Sequence, residues 1–325
     1  MDPETLREAL KGLSILVVGD LMLDQYFWGE VSRISPEAPV PVFDLRDISH
    51  SLGGAANVAA NLAGLGVRAE LCGLVGEDRE GEVFLELARR AGLGTRAVVR
   101  DGGRPTTVKT RVIAQAQHLL RIDTERRASP TPEIRETLKA RLEELLPQVK
   151  AVILSDYAKG VLASSGFTSW LIEEARRQGL PVFVDPKGLE WQKYAGATCV
   201  TPNRKEFRAI LPTMGILEED LEGGARRLVE KLDLSFMVVT LGPEGMFLYH
   251  PEEGSWHFPA RAREVYDVSG AGDTAIAALT AFYTAGLPLK EAVSLANLCA
   301  GIVVGKMGTR PVFWEELKKA LQKGG

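Results

Sequence analysis

Short apolar runs alternate with stretches of helical periodicity along most of the chain, and this alternation restricts the possible folds more than any other feature. The runs end in polar loops, which is typical of buried strands. The predicted strands are Ser14–Gly19, Ala151–Ser155, Pro181–Asp185, Thr198–Thr201 and Phe236–Gly242. The predicted helices are Ala55–Leu65, Gly81–Ala91, Ile134–Leu146 and Ser165–Gln178. Strands and helices in alternation form βαβ units, so we predict an α/β fold with a mainly parallel central sheet.

Two stretches do not follow the alternation. Residues 26–45 carry β-prone pieces interrupted by Pro36, Pro39 and Pro41, and residues 106–123 are rich in Thr, Val, Ile and Leu. Proline confines a strand to the edge of a sheet. We therefore predict a small β lid outside the main sheet, which either covers a ligand or pairs with its copy in a homodimer. Because the sequence contains no repeat and no low-complexity linker, we expect one domain over residues 1–325.

Composition excludes several classes of protein. No apolar run is long enough to span a membrane, and the charged N-terminal segment does not have the pattern of a signal peptide. The net charge is −4 with both signs interspersed, which argues against a nucleic-acid partner. The cysteines Cys72, Cys199 and Cys299 are widely spaced in apolar sequence, as expected for free thiols in the cytoplasm. The four histidines form no pair at metal-ligand spacing, so we expect no structural metal site.

The segment Asp267–Thr274 is the strongest functional signal. Its small residues Gly270, Ala271 and Gly272 allow consecutive N–H groups to point at one place, and an apolar helix follows. Such a helix N-terminus binds anions, including a phosphoryl group during transfer. Asp273 lies beside this turn, where a carboxylate suits the general base for an acceptor hydroxyl. The alternative is an ordinary glycine turn in which Asp273 is the N-cap of the helix.

Two other phosphate-binding motifs fit less well. The segment from Gly301 to Lys306 has three residues between its glycines, where a Walker loop has four, and it lies in an apolar run typical of a core helix. A dinucleotide fingerprint can be placed on Gly270, Gly272 and Ala275, but it requires a following strand. Residues 286–297 instead have a helical pattern.

Further polar residues follow the predicted strands or open the next helix. In parallel sheets the carboxyl ends of strands meet at one edge, where ligands bind. We expect the side chains at these positions to contact a sugar, and the glycines to let the sugar come close to the backbone. The candidates are Asp20, Asp24, Gly53, Gly54, Asn57, Asp156, Asp185 and Lys187. Taken singly, Gly53, Gly54 and Asn57 are equally explained by tight packing of a helix N-terminus, and each of the other candidates is better explained by an ordinary polar loop. Their recurrence at several strand ends is what indicates a site.

Two later segments are candidates for the nucleotide. Asn203 and Glu206 are one helical turn apart, a spacing that can hold Mg²⁺ through water, although Asn203 as a helix cap is the alternative. The segment Thr240–Gly245 is predicted to be a strand that ends in a tight turn, where contact with a nucleotide competes with an ordinary hairpin turn.

The segments Gly53–Asn57 and Asp267–Thr274 together resemble the motifs of the ribokinase-like (PfkB) sugar kinases, and the resemblance covers essentially the whole chain. It implies a three-layer sandwich with a small β lid, and ATP and Mg²⁺ as cofactors. It leaves a monovalent cation such as K⁺ open. By resemblance, Asp273 is the base, and Gly270, Ala271 and Gly272 form the anion hole. The implied contacts to ATP and Mg²⁺ are Asn203, Arg204, Lys205, Glu206, Thr240, Gly242 and Gly245.

A narrower resemblance is to kinases that phosphorylate D-glycero-D-manno-heptose 7-phosphate for ADP-heptose and lipopolysaccharide synthesis. It is carried by the segments Arg33–Val42, Leu154–Gly160 and Val184–Gly188. No His-x-Gly-His nucleotidyltransferase signature follows, so we expect a stand-alone kinase or the kinase half of a longer chain. The alternatives are a related kinase for fructose phosphate, ribose or a nucleoside, and a sugar-phosphate-binding regulator without catalysis.

A substrate that already carries a phosphate requires fixed cations far from Asp273. The lid segments supply Arg33, Lys109, Arg111 and Arg121. Lys109 and Arg111 share one strand face, so we expect them to grip the phosphate together. Solvated lid charges are the alternative.

Overall fold

The computed structural model describes residues 2–115, 117–217, 220–261, 266–306 and 308–323. Its strands are β1 (Ser14–Gly19), β2 (Leu21–Ile34), β3 (Pro41–Gly54), β4 (Arg68–Val75), β5 (Gly94–Arg100), β6 (Val108–Ala114), β7 (Gln117–Thr124), β8 (Ala151–Ser155), β9 (Val182–Asp185), β10 (Cys199–Val200), β11 (Phe236–Thr240), β12 (Met246–His250) and β13 (Gly254–Phe258). Its helices are α1 (Pro3–Leu10), α2 (Ala55–Gly64), α3 (Arg79–Arg90), α4 (Pro132–Leu145), α5 (Ser165–Arg177), α6 (Arg204–Thr213), α7 (Leu221–Leu232), α8 (Ala271–Thr284), α9 (Leu289–Val303) and α10 (Trp314–Lys323).

The central sheet has nine strands in the order β13-β12-β11-β10-β9-β8-β1-β4-β5. The strands from β5 to β11 pair in parallel, and β12 and β13 extend the sheet by antiparallel pairing. Because strand side chains alternate between faces, Ile15 and Val17 of β1 join one apolar core while Leu16 and Val18 join another. Helices α2, α8 and α9 cover the first core, and α4, α5 and α7 cover the second. The predicted α/β class and its three layers are therefore confirmed.

The predicted elements agree closely with the observed ones. Strands β1 and β8 have the predicted bounds, whereas β10 keeps only Cys199–Val200 of its predicted four residues. Helix α4 begins at Pro132, with Thr131 Oγ1 accepting a hydrogen bond of 3.4 Å from the Ile134 N–H. Strand β11 ends at Thr240, before its predicted end at Gly242, because Gly242 has a φ of 61° and starts a turn.

A second sheet of four strands has the order β3-β2-β6-β7. It covers both segments predicted to form the lid, but β2 and β3 extend further than predicted, to Leu21 and Gly54. Pairing is antiparallel at β2–β3 and β6–β7 and parallel at β2–β6. Strand β3 runs directly into α2, so this sheet is joined to the edge of the central sheet where the predicted polar residues lie.

Two further observations concern membranes and thiols. In the part of the chain that the structure describes, no helix has both the length and the apolar character needed to cross a bilayer. Cys72, Cys199 and Cys299 are buried and free.

Candidate active site

Helix α8 begins in a glycine turn that faces Asn57 of helix α2. Gly270 is the N-cap residue with a φ of 80°, and a Cβ added to it would lie 2.9 Å from Asn57 Nδ2. Both the backbone conformation and the close approach therefore favour glycine. Asp273 lies in the first turn of α8 and is not its N-cap, so the capping alternative for Asp273 is wrong. The first N–H groups of the helix and its dipole make this turn suitable for an anion.

The Asp273 carboxylate is buried and receives hydrogen bonds on both oxygens. Asn57 Nδ2 donates to Oδ2 at 2.7 Å, and the Tyr157 hydroxyl donates to Oδ1 at 2.5 Å. Burial raises the pKa of Asp273 to about 6, and the hydrogen bonds from Asn57 and Tyr157 oppose that rise. A carboxyl group with this pKa can accept a proton near neutral pH, as a general base must.

Tyr157 belongs to the loop after β8 and was not among the predicted site residues. Burial and the neighbouring charge of Asp273 raise the pKa of Tyr157 well above its usual value, so the phenol stays protonated and donates. The sequence offered one signal: the polar loop 155–160 follows a buried strand. Nothing in its spacing distinguished Tyr157 from its neighbours.

Asp20 was expected to contact a sugar, but its contacts in the structure belong to the loop after β8. It is buried and accepts hydrogen bonds from the N–H groups of Tyr157, Lys159 and Val161 at 2.9–3.1 Å. Its burial raises the pKa of the carboxyl group. Asp20 is therefore placed to hold this loop, and a direct contact with a sugar stays a prediction.

Asp156, like Asp20, is buried and bonded within the structure around the loop after β8. It is buried in an ion pair with Lys193 Nζ at 2.6 Å and accepts a hydrogen bond from the Tyr194 hydroxyl at 2.6 Å. Its other oxygen accepts the Ala158 N–H at 2.7 Å. These partners occupy the carboxylate that was expected to contact a sugar, and they fix the loop from the other side.

Asp24 and the lid cations form ion pairs among themselves. Arg111 Nη1 contacts Asp24 Oδ1 at 2.6 Å, and the guanidinium lies 5.3 Å from the ring centre of Tyr26. Lys109 Nζ lies 3.6 Å from Asp123. Lys109 and Arg111 share a strand face as predicted, but each has its own acidic partner.

The other predicted lid cations are more exposed. Arg121 pairs with Asp123, at 2.9 Å from Nε to Oδ1, and Arg33 is exposed on β2. Neither lies beside Asp273, and both stay candidates for contact with a distal phosphate.

Gly53 and Gly54 were expected to admit a ligand close to the backbone. A Cβ at Gly53 would lie 2.7 Å from Asp24 Oδ2, and one at Gly54 would lie 2.4 Å from the Asp20 carbonyl oxygen. The space that these glycines leave is thus filled by Asp24 and by the backbone of residue 20. Tight packing explains the glycines in this structure.

A small cavity of about 160 Å³ opens beside Asp273. Its walls include Tyr157, Asp185, Lys187 and Glu206 together with the turn at Gly270 and Gly272. Burial raises the pKa of Asp185 well above its usual value, and the nearby charges of Asp273 and Glu206 add to the rise. Lys187 Nζ contacts Glu206 Oε1 at 2.7 Å, which places one cation among these acids.

Asn203 and Glu206 form a capping box at the start of α6. Asn203 Oδ1 accepts the N–H groups of Lys205 and Glu206, and Glu206 Oε2 accepts the Asn203 N–H at 3.1 Å. The capping alternative is thus confirmed for Asn203. The capping box does not conflict with a metal role, because Glu206 and Asp185 still line the small cavity and can offer oxygen ligands. Carboxylate oxygens of this kind fit Mg²⁺, which is commonly held by one or two carboxylates and substrate phosphates.

A larger cavity of about 670 Å³ adjoins the small one, and the two share Asn203, Thr240 and Gly272. The predicted nucleotide segment lies along it as the turn between β11 and β12, with positive φ at Gly242 and Gly245. The hairpin-turn alternative is therefore also correct for this segment. Lys205 lines the cavity, as does the pair Arg204–Glu244, at 2.6 Å. The volume is in the range of small-molecule sites.

Comparison with known proteins gives a consistent result. Residues 13–316 match a family described as pfkB family carbohydrate kinase. Proteins named bifunctional protein HldE are similar to the chain: that of Methylobacillus flagellatus is 47% identical over 309 residues, and that of Magnetococcus marinus is 46% identical over 313 residues. These matches cover 95% and 94% of the chain. The chain spans 63% of the length of each relative.

Solved structures of sugar kinases share the fold. The phosphofructokinase-2 of Escherichia coli in complex with potassium has a TM-score of 0.76 and 20% sequence identity, over 96% of this chain and 98% of that one. The ribokinase of Arabidopsis thaliana in complex with ribose and ATP has a TM-score of 0.72 and 20% identity, over 95% and 98%. The fold is therefore ribokinase-like.

Proposed function

Because the chain belongs to the pfkB family of carbohydrate kinases, we propose that it phosphorylates the anomeric hydroxyl of D-glycero-β-D-manno-heptose 7-phosphate. The enzyme is an ATP-dependent sugar kinase, and the identity of the sugar is the proposal. The similarity to proteins named HldE supports this choice, as does the resemblance of residues 33–42, 154–160 and 184–188 to heptose phosphate kinases. The product would be the 1,7-bisphosphate, an intermediate on the way to ADP-heptose and lipopolysaccharide.

The observation that carries the mechanism is the position of Asp273 in the wall of the small cavity, with both oxygens oriented by hydrogen bonds. Asp273 takes the proton of the acceptor hydroxyl as the oxygen attacks the γ-phosphorus of ATP. The phosphoryl group moves to the sugar oxygen, and ADP leaves. The turn at Gly270, Ala271 and Gly272 stabilises the negative charge of the transferring group through its N–H groups.

We assign the nucleotide to the larger cavity, because this cavity meets the small one at Gly272. The turn from Thr240 to Gly245 would line the base and ribose, and Lys205 and Arg204 would lie near the phosphates. When Mg²⁺ is bound, it would neutralise negative charge on the phosphates. We expect Glu206, assisted by Asn203, to hold this ion through water. K⁺ is a further proposed cofactor, since the similar phosphofructokinase-2 was solved with potassium.

For the 7-phosphate we propose Lys109 and Arg111 as the main contacts, with Arg33 and Arg121 at the rim. The Arg111–Asp24 pair would connect the phosphate end to the sugar, because Asp24 is buried and near enough for its charge to act on Asp273. Burial lowers the pKa of Lys109, and the nearby charge of Lys159 adds to this effect. The two cations therefore form a local positive region that Asp123 and Glu125 partly neutralise. A bound phosphate would replace Asp123 and Glu125 as the partner of these two lysines.

We further propose that residues 1–325 act as one kinase domain and that the second sheet is a lid and the surface of a homodimer. Several large apolar side chains on its strands are exposed, which is unusual for a surface that faces only water. They are Ile34, Leu45, Ile48, Leu119, Leu120 and Ile122. A cytoplasmic location is proposed with it, in agreement with the buried free thiols.

A panel of sugars tests the proposal. Initial rates are measured with ATP, Mg²⁺ and heptose 7-phosphate, fructose 6-phosphate, ribose or a nucleoside, and ³¹P NMR identifies the position of the new phosphate. We expect turnover of heptose 7-phosphate to exceed that of the others, with the new phosphate at the anomeric carbon. Preference for another sugar would assign a related kinase activity. Binding without turnover of any sugar would leave a regulator as the better description.

A further inference from the structure

We propose that Tyr157 is a positioning residue for the phosphoryl transfer, whose phenol fixes the orientation of the Asp273 carboxylate and favours its ionised form. The inference rests on the proposed function, because it requires Asp273 to act as the base. Tyr157 keeps its own proton throughout, and the proton of the sugar hydroxyl goes to Asp273.

The geometry of the contact carries the proposal. Tyr157 donates to Oδ1 at 2.5 Å and Asn57 donates to Oδ2 at 2.7 Å, from two different elements of the fold. Two donors on different oxygens fix the plane of a carboxylate, while each oxygen keeps lone-pair capacity for a further donor. Tyr157 and Asp273 both line the small cavity, so the acceptor hydroxyl meets Asp273 already held in this orientation.

The loop that carries Tyr157 is fixed far more firmly than an ordinary surface loop. Buried Asp20 accepts the N–H groups of residues 157, 159 and 161, and buried Asp156 is held by Lys193 and Tyr194. Ala158, the next residue, has a φ of 55°, a conformation that costs free energy for a residue with a Cβ. Strain of this kind persists where the surrounding structure over-determines it. These contacts hold the loop so that the Tyr157 phenol lies against the Asp273 carboxylate.

The surroundings of Asp273 explain why such a donor is needed. Burial raises the pKa of Asp273 and the charge of Asp24 on β2 adds to the rise, while the charge of Asp273 in turn raises the pKa of Asp185 on β9. Lys187 and Glu206 line the same cavity but pair with each other. Among the described residues, the hydrogen bonds from Asn57 and Tyr157 are the contacts that favour the carboxylate. Loss of the phenol therefore leaves Asp273 harder to ionise.

The first test is Tyr157→Phe, which removes only the hydroxyl. The acid limb of kcat/KM should move to higher pH by about one unit, since a hydrogen bond to a charged group is worth roughly that much. That shift corresponds to a fall in kcat/KM of up to about ten-fold below pH 6 and to recovery towards the parent value above pH 8, while the KM for ATP is unchanged. Tyr283→Phe is the matched control, because Tyr283 packs against Phe183 and Phe236 away from Asp273. Its pH profile should match that of the parent.

A second substitution gives a shift in the opposite direction. Replacement of Tyr157 by 3-fluorotyrosine makes the phenol a stronger donor, so the acid limb should move to lower pH. An infrared titration of the Asp273 carboxyl group, taken as the difference from Asp273→Asn, measures the same shifts without any sugar. This readout separates the two proposals, because an incorrect sugar assignment does not affect it.

Two results would overturn the role of Tyr157. One is a parent-like acid limb and kcat/KM in Tyr157→Phe. The other is an equal loss of activity at every pH together with a lower melting temperature, which would indicate a structural role alone. If Tyr157→Phe does not fold, an unshifted infrared titration in the fluorotyrosine protein would overturn it instead.

Discussion

Asn57 and Asp273 are 216 residues apart in the chain, yet the Asn57 amide donates a hydrogen bond of 2.7 Å to the Asp273 carboxylate. This contact joins the two motifs on which the family resemblance depends, at the N-terminal ends of helices α2 and α8. It also explains Gly270, because any side chain there would displace the amide. The two motifs are therefore parts of a single site.

Asp273→Asn should abolish most of the activity. An amide cannot take the proton of the acceptor hydroxyl, and loss of a general base typically costs about 10²–10⁴ in rate. The amide can still accept from Asn57 and donate to the Tyr157 oxygen, so folding and ATP affinity should persist. Steady-state kinetics and calorimetric ATP titration provide the measurement. A rate near that of the parent would remove Asp273 from the role of base.

The same substitution should stabilise the protein above pH 6. Burial raises the pKa of Asp273 from 3.8 to about 6, so the folded state binds the proton more tightly than the unfolded state between these values. Stability is consequently lost as pH rises through this window, at about 1.4 kcal/mol per pKa unit. Asparagine does not ionise and avoids the loss. The melting temperature of Asp273→Asn should exceed that of the parent at pH 7.5, and the difference should shrink towards pH 4.

Asn57→Ala should reduce both activity and stability. It removes the donor to Asp273 Oδ2 in a buried position, which leaves that oxygen with one hydrogen bond fewer. A buried group that loses its partner typically costs about 1–3 kcal/mol. We expect kcat to fall and the acid limb to move to higher pH, as for Tyr157→Phe. Urea unfolding and pH–rate profiles test it, and an unchanged profile would mean that Asn57 only packs.

Glu206→Gln should raise the Mg²⁺ concentration needed for half-maximal activity. Glutamine keeps the capping box, because its side-chain oxygen can still accept the Asn203 N–H, so stability should change by less than about 1 kcal/mol. It removes the negative charge that lines the small cavity. Magnesium titration of the initial rate measures the effect. Glu174→Gln on the surface of α5 is the control. If Glu206→Gln needs the same Mg²⁺ concentration as the parent for half-maximal activity, Glu206 does not hold the metal.

Lys109→Ala with Arg111→Ala should raise the KM for heptose 7-phosphate strongly while leaving the KM for ATP nearly unchanged. The single variants separate two effects, because Arg111 also holds Asp24 whereas Lys109 pairs with Asp123. Arg111→Ala should therefore lower kcat as well as affinity, and Lys109→Ala should affect affinity alone. Arg46→Ala, in an exposed pair with Glu30, is the control. If the double variant binds heptose 7-phosphate with the affinity of the parent, Lys109 and Arg111 do not bind its phosphate.

Local signals in the sequence predicted much of the fold. The apolar runs of β1 and β8 and the periodicity of α4 are properties of neighbouring residues, so their bounds could be placed closely without tertiary information. The glycine turn at Gly270 is equally local. Strand β10 was predicted longer than it is, since its length depends on pairing with β9 and β11, which are separate segments of the chain.

The division of roles among the polar residues was decided by tertiary structure. Asp20, Asp24 and Asp156 look alike in sequence, as carboxylates that follow buried strands. In the fold, Asp20 and Asp156 hold a loop, and Asp24 pairs with Arg111. A carboxylate binds whichever donors the surrounding backbone brings within hydrogen-bond distance, and those donors come from distant segments. The sequence alone therefore determined the α/β class and the glycine turn that precedes Asp273, whereas the partners of each acid followed from the packing of distant segments. The place of Tyr157 followed from packing of the loop after β8 against α8.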